Sequence, residues 1–216
     1  MLINAIHHFE ILTKTNKNLL NYFINCLNFK LIAVNSTDKS IQHIIRSKNS
    51  NFVITSLSHE ENLSSDIINN AKEYDTIENL GKVNSSLLRK ILSKSDSVFN
   101  VALQVKSIDY ILSNCTKNNV EVIKKKSKIQ DSDGFIYYAI INSCVDGVVH
   151  TLIQKDGYKQ GFFLPNIQLN RDFDNYHDPI TTHFDHLTYA TFKDTSNSII
   201  QWYKDIFKMK KFFITK

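Results

Sequence analysis

The pattern of apolar and polar residues predicts two successive units, each with one helix and four strands, within residues 1–155. Apolar residues alternate with polar ones where strands are predicted, and they recur every three or four positions where helices are predicted. The first unit has strands at about 6–13, 29–35, 40–47 and 51–57 and a helix at 17–27, capped by Asn16. The second has strands at about 97–105, 120–125, 135–142 and 148–155 and a helix at 107–118, opened by Ser107.

Turn residues and polar segments separate these elements. Tight turns are predicted at Asn49–Asn51, Asp131–Gly134 and Asp146–Gly147. Residues 58–96 are polar, hold one short amphipathic stretch from Leu87 to Leu92, and are predicted to be a connecting excursion. Residues 156–180 are predicted to be a linker, and a third unit begins at about residue 183.

The third unit repeats the beginning of the first. The predicted strand Phe184–Thr191 corresponds to Ile6–Thr13, and a helical pattern follows each of them. The matched positions are His8 with His186, Phe23 with Tyr203, Leu27 with Phe207 and Phe29 with Met209. A repeat of this length usually marks a duplicated supersecondary unit. The chain ends at Lys216 as the next strand, from Met209, is forming, so we expect residues 181–216 to be the truncated start of a further domain.

Two such units side by side predict an α+β architecture of paired βαβββ modules, which form a curved, open barrel of eight strands with helices outside. Residues 1–155 would be this paired-module domain, residues 156–180 the linker, and residues 181–216 the start of a second barrel half. A concave sheet of this kind offers a pocket for a small ligand.

Composition and charge narrow the classes of function. The 216 residues are 42% hydrophobic, with 14 Phe and 9 Tyr, which allows a sizeable core. The net charge is +5, but the lysines are scattered. The one run, Lys124–Lys126, is expected at a solvated strand end and not in a phosphate-binding patch. We therefore predict no nucleic-acid partner.

Cysteine content and hydropathy place the protein among soluble proteins. Cys26, Cys115 and Cys144 are far apart and form no C-x-x-C, which argues against a disulfide framework or a zinc site and fits a reducing compartment. No apolar run reaches the roughly 20 residues that cross a membrane, so we predict no membrane span. The strand pattern starts by Ile6, and we expect no cleavable presequence.

Five segments carry a family resemblance by their order and spacing. They are Gly134–Ile141, His150–Lys155, Gly157–Tyr158, Phe163–Pro165 and Asp185–Thr188. Together they resemble the 4-hydroxyphenylpyruvate dioxygenase family, which has the vicinal-oxygen-chelate fold. The Asp-His-Leu-Thr form of the last segment, followed by Trp202-Tyr203, is more similar to the branch with hydroxymandelate-synthase activity than to the tyrosine-catabolic branch.

This resemblance implies a non-haem Fe(II) site and an oxidative reaction. The family holds Fe(II) with two histidines and one carboxylate, and the remaining positions take an aromatic 2-oxo acid and O2. It decarboxylates the oxo acid and hydroxylates the product, giving homogentisate or 4-hydroxymandelate. The first ligand maps onto His186, in the Asp185-His186 pair, so His186 is the one metal ligand that the resemblance assigns. The second histidine and the glutamate lie in a half that these 216 residues do not contain.

Two histidines of the first two units, His8 and His150, are interpreted as structural. His8 is the repeat partner of His186, but a matching metal site would need a carboxylate near the end of the last strand of the second unit. Thr151 stands at that place. We therefore interpret His8 and His150 as structural residues and the N-terminal half as a degenerate copy that supports the catalytic half.

Two other hypotheses stay open on the sequence alone. The chain could be a non-catalytic binding or regulatory protein of the same fold, whose unpaired third unit a homodimer would cover with the missing strands. It could also be a small two-unit protein with its own metal, although Thr151 and the missing carboxylates count against this. The choice between the two hydroxylated products and between a cytoplasmic and a mitochondrial location also stays open.

Overall fold

The computed structural model describes six parts of the chain. They are residues 2–13, 16–36, 40–57, 96–158, 163–167 and 182–211. The amphipathic stretch from Leu87 to Leu92, nearly all of the polar excursion, and most of the linker lie outside the described residues. So does the end of the strand that was predicted from Met209 onward.

The described residues form the two predicted strand–helix–strand–strand–strand units and one further helix. The first unit comprises β1 (Ile3–Leu12), α1 (Asn16–Asn21), which continues as a π-helical turn (Tyr22–Cys26), β2 (Lys30–Ser36), β3 (Ser40–Ser47) and β4 (Ser50–Leu57). The second comprises β5 (Ser97–Val105), α2 (Ile108–Lys117), β6 (Val122–Asp131), β7 (Gly134–Asn142) and β8 (Val149–Gln154), and α3 (Ser196–Phe207) follows.

All eight strands belong to one sheet in the order β2-β3-β4-β1-β5-β8-β7-β6. The first and last strands of each unit pair in parallel, β1 with β4 and β5 with β8. The two units meet where β1 and β5 pair antiparallel at the centre of the sheet. The strand order therefore repeats about this central pair, and the predicted α+β architecture of paired βαβββ modules is confirmed.

The sheet has two buried faces of different character. On one face, which we call the helix face, α2 and α3 pack on the second unit, and α1 with its π-helical turn packs on the first. On the other, which we call the inner face, apolar side chains of both units pack together with Tyr158, Phe163 and Leu164 from the segment after β8. The part of the predicted linker that the structure describes thus packs on the inner face.

Two sequence predictions need correction in the second and third units. The Lys124–Lys126 run does not stand at a strand end, because β6 continues to Asp131 along the edge of the sheet. The predicted strand at Phe184–Thr191 is not observed, and these residues belong to no strand of the described structure. A strand is stabilised by the ladder of its neighbours, and no described strand lies beside this segment.

Helix α3 forms as the repeat predicted and docks on the second unit. Ile206 and Phe207 are fully buried. Asn114 of α2 donates its side-chain N–H to the backbone carbonyl of Ile206 at 2.9 Å. The third unit is thus attached to the sheet by its helix.

Candidate functional site

The predicted metal ligand lies at the surface of the described structure. The side chain of His186 is 76% exposed, and its Nδ1 lies 2.8 Å from Oδ2 of Asp185. This hydrogen bond, with the nearby imidazole, lowers the pKa of the Asp185 carboxyl below its usual value. A carboxylate on Nδ1 fixes the orientation of an imidazole and leaves Nε2 as the ligating atom, which is a common arrangement in metal sites.

Aromatic contacts attach the segment that carries His186 to the sheet on both sides. Before His186, the ring of Phe184 lies 4.6 Å from that of Phe9 and 5.3 Å from that of Phe52, edge to face in both cases. After it, the hydroxyls of Tyr189 and Tyr203 lie 3.0 Å apart. The position of His186 is therefore set by the first unit on one side and by α3 on the other.

His150, on β8, connects the Tyr189–Tyr203 contact to the sheet. Its Nδ1 lies 3.0 Å from the carbonyl oxygen of Val101, and its Nε2 lies 2.8 Å from the Tyr203 hydroxyl. Because a carbonyl can only accept, Nδ1 carries the proton, and Nε2 accepts from Tyr203. Burial lowers the pKa of His150 to about 4, so the ring is neutral at neutral pH. His150 thus joins α3, through Nε2, to β5, through Nδ1.

The described residues contain no complete set of metal ligands. No group of three His, Cys, Asp or Glu side chains that could hold a metal occurs in the described ranges. Non-haem iron needs three protein ligands on one side of the metal. His186, with its carboxylate partner, fits one position of such a set.

The inner face contains a buried carboxylate that the sequence analysis did not single out. Glu10, on β1, is 1% exposed. Its oxygens accept hydrogen bonds from the side chains of Gln42 at 3.0 Å, Thr55 at 2.8 Å and Asn100 at 3.0 Å. Three donors from three other strands offset the loss of hydration that burial imposes on a carboxylate.

Thr151 joins this network through Asn100. The Asn100 side-chain oxygen accepts from the backbone N–H of Thr151 at 3.2 Å and from its hydroxyl at 3.1 Å. The place where the resemblance expects a carboxylate is therefore hydrogen-bonded within the sheet. The alternation of His8 and Glu10 along β1 was the sequence signal for this network, because residues two apart share a face.

Two adjacent histidines lie beside the network. Nδ1 of His7 and Nδ1 of His8 are 2.8 Å apart, and the two rings lie 5.1 and 5.2 Å from the ring of Phe163. The pairing of β1 with β5 has an irregularity between Ile6 and His8. A bulge of this kind turns a side chain toward the opposite face, which explains why two consecutive residues contact the same ring.

The three cysteines are free thiols, and the described helices are not of the membrane-spanning type. Cys26, Cys115 and Cys144 carry no disulfide, and burial raises the pKa of the Cys115 thiol to about 11. In the described parts of the chain, no helix is both long and apolar enough to cross a membrane.

Comparisons with known proteins agree with the motifs. No family model matches the chain. A 4-hydroxyphenylpyruvate dioxygenase of Coccidioides posadasii is 25% identical over 162 residues, which are 73% of this chain and 38% of that protein. One of Yarrowia lipolytica is 33% identical over 75 residues, which are 35% of this chain and 18% of that protein. A putative protein of Caenorhabditis elegans is 23% identical over 98% of this chain and 52% of its own length.

A solved structure shows the same fold. A mutant of 4-hydroxymandelate synthase from Streptomyces coelicolor superposes with a TM-score of 0.72 at 14% identity, covering 99% of this chain and 55% of that one. The chain therefore has the vicinal-oxygen-chelate fold, as predicted. Its resemblance to the 4-hydroxyphenylpyruvate dioxygenase family is confirmed. The chain spans about half the length, or less, of the relatives that it matches.

Proposed function

We propose that this chain is part of an Fe(II)-dependent dioxygenase that acts on an aromatic 2-oxo acid of the 4-hydroxyphenylpyruvate type. The observation that carries this proposal is the Asp185–His186 pair. It presents an oriented imidazole at the start of the third unit, in a fold shared with 4-hydroxymandelate synthase. In this proposal His186 is one of three iron ligands. We place the second histidine and the glutamate in the part of the relatives that this chain does not span.

The chain's own residues would orient the ligand and fix its distance from the sheet. Asp185 accepts the Nδ1 proton of His186 and keeps Nε2 available for the metal. Phe184 and Tyr189 anchor the segment on either side through the contacts described above. Bound Fe(II) would supply the one-electron chemistry that the reaction with O2 requires. The aromatic 2-oxo acid and O2 are the proposed substrates.

The division of the chain follows from the same proposal. Residues 1–155 would form the non-catalytic pair of modules, residues 156–180 the linker, and residues 181–216 the start of the catalytic domain. The attachment of α3 to α2 and β8 supports a close association between the last of these parts and the first.

The test is oxygen consumption by the native protein, purified from its source and characterised first by peptide mass mapping. We expect peptides that extend beyond Lys216, iron bound at one equivalent, and O2 uptake that depends on 4-hydroxyphenylpyruvate. In a recombinant protein with the same length as the native protein, His186→Ala should abolish iron binding and O2 uptake. His183→Ala, which changes an exposed histidine three residues earlier, should leave both unchanged. Full iron content in the His186→Ala protein would refute the assignment.

A second candidate function is a non-catalytic binding or regulatory protein of the same fold. The observation that favours it is the lack of a three-ligand group within the described residues. This alternative predicts a native protein of 216 residues that binds no stoichiometric iron. The mass of the native protein and its iron content decide between the two.

A further inference from the structure

We propose that the inner face holds a second ligand site, for an aromatic carboxylic acid with a ring hydroxyl, and that Phe163 occupies this site in the structure. The site would be built from His7, His8 and Lys155. It is separate from the proposed iron site, needs no metal, and can be tested whether or not the proposed function holds.

The first observation is that Phe163 contacts this cluster as a ligand would. Its ring packs against both imidazoles at 5.1 and 5.2 Å, and it is 2% exposed. Its carbonyl oxygen accepts a hydrogen bond from Nζ of Lys155 at 2.9 Å. One residue thus presents an aromatic ring to two histidines and an oxygen to an ammonium group.

The second observation is a buried nitrogen that Phe163 does not satisfy. Nε2 of His8 is inaccessible to solvent and has no hydrogen-bond partner in the described structure. An unsatisfied buried polar atom is uncommon in folded proteins and is explained by strain, by a role in binding, or by a bound water or ion. A phenyl ring has no proton to give to it.

One hydrogen bond links the two imidazoles. Burial lowers the pKa of both rings, that of His8 to about 3, so each ring carries one proton at neutral pH. The two Nδ1 atoms, 2.8 Å apart, share one proton, so Nε2 of His8 has a lone pair when His8 supplies that proton and an N–H when His7 supplies it. A hydroxyl both donates and accepts, so it satisfies Nε2 in either tautomer.

The neighbouring charges select an anion and not a metal. Lys155 and Arg46 both lie close enough to His7 to lower the pKa of that ring, and burial with Arg46 lowers the pKa of Lys155 to about 8. Lys155 is thus mostly charged at neutral pH, and a cation beside it would be repelled. A carboxylate can take the place of the Phe163 carbonyl on Lys155, and it gains a charge-assisted hydrogen bond.

These requirements define the ligand. Its ring replaces the Phe163 ring on the two histidines, its carboxylate replaces the carbonyl oxygen, and its hydroxyl forms a hydrogen bond with Nε2 of His8. Phe163 competes with this ligand, because its side chain must leave the two histidines before the acid can bind. His8, interpreted as structural from the sequence, becomes a specificity residue in this proposal.

The test is calorimetric titration of the 216-residue chain with three probes at about pH 7, in the presence of a chelator, so that Lys155 is charged and no metal contributes. The probes are 4-hydroxyphenylacetate, phenylacetate and acetate. We expect 4-hydroxyphenylacetate to bind about fivefold more tightly than phenylacetate, which is the effect of one added hydrogen bond. Acetate, which has no ring, should show no measurable binding. Equal affinities for the two aromatic acids would overturn the proposal.

Variants locate the site. Lys155→Met should weaken the binding of both aromatic acids about tenfold or more. Lys106→Met, at an exposed lysine, should leave their binding unchanged. His8→Leu should remove the preference for the hydroxylated acid. Phe163→Ala should tighten binding, because the internal competitor is gone. His186→Ala should leave binding unchanged, which separates this site from the proposed iron site.

Three further outcomes would refute the proposal. They are undiminished binding in Lys155→Met, loss of binding in His186→Ala, and no binding in either the unaltered chain or Phe163→Ala. If neither of these proteins binds, a crystal structure with a single water on Nε2 of His8 would identify the partner that this atom has instead.

Discussion

Acid should unfold this protein through histidines that are buried in the neutral form. His8 and His150 have pKa values lowered by burial from 6.5 to about 3 and about 4. The folded state therefore binds fewer protons than the unfolded state at a pH between these lowered values and about 6.5. Stability falls as the pH drops through the unfolded pKa, and the loss is complete only below the folded pKa values.

The size of this loss follows from the difference between the two pKa values. A pH of about 5 is about 1.5 units below the pKa of an imidazole in the unfolded chain, and each unit corresponds to about 1.36 kcal/mol. His8 and His150 then each lower the free energy of unfolding by about 2 kcal/mol, or about 4 kcal/mol together. Burial lowers the pKa of His7 in the same direction. Small domains are stable by about 5–15 kcal/mol, so the effect is large enough to measure.

Urea unfolding at about pH 7 and about pH 5 measures the loss. Trp202 is the only tryptophan and packs against His150, so its fluorescence reports the unfolding of that region. In His150→Gln, the amide can donate to Val101 and accept from Tyr203, but it does not titrate. We expect the loss of stability between the two pH values to shrink by about 2 kcal/mol in this variant.

A matched variant controls for charges elsewhere in the chain. His183→Gln removes an exposed histidine, and its loss of stability on acidification should equal that of the unaltered chain. Other titrating groups contribute equally to all three proteins and cancel in the comparison. If His150→Gln loses as much stability as the other two proteins, His150 is not held neutral by burial, and the role of its Nε2 as the acceptor from Tyr203 is wrong.

Three further substitutions probe the fold. Glu10→Gln should lower the free energy of unfolding by about 3 kcal/mol in urea titrations, because one amide N–H would face the donors that the carboxylate now satisfies. Gly134→Ala should lower it by about 1–3 kcal/mol, since φ is 128° and an added Cβ would overlap the carbonyl oxygen of Gly157. Asn114→Ala should speed amide exchange in α3 and leave exchange in β3 and β4 unchanged, because it removes the hydrogen bond to Ile206.

The strands of the sheet were predictable where both neighbours in the sheet exist. The alternation at 97–105 and 40–47 gave β5 and β3 at their observed bounds. β6 was underestimated, because an edge strand tolerates polar residues on both faces and its lysines interrupted the apolar pattern. Three of those lysines lie over the rings of Tyr138, Tyr137 and Phe135. This packing of an ammonium on a ring leaves no periodic signal in the sequence.

The inner-face cluster could be predicted only in part. The spacing of His8 and Glu10 on one strand placed both on one face. The contribution of His7 depends on an irregular pairing between β1 and β5, which the apolar pattern does not encode. Lys155 and Phe163 meet the histidines only because the segment after β8 folds back onto the sheet. Contacts between residues 150 positions apart come from topology and not from local sequence.

His8 and His186 show how neighbouring strands decide the chemistry of equivalent positions. His8 lies on β1 between β4 and β5, where ladders on both sides bury it and hold it neutral. His186 is at the matching place of the repeated unit, but its segment has no described strand beside it, and the side chain is mostly exposed. An exposed imidazole is a poor iron ligand on its own, because water competes for the metal. The same residue between two strands would face an inner sheet surface, as His8 does. Strands supplied beside residues 184–191 would therefore convert a surface histidine into a buried ligand, and this is what the proposed dioxygenase requires of the rest of its chain.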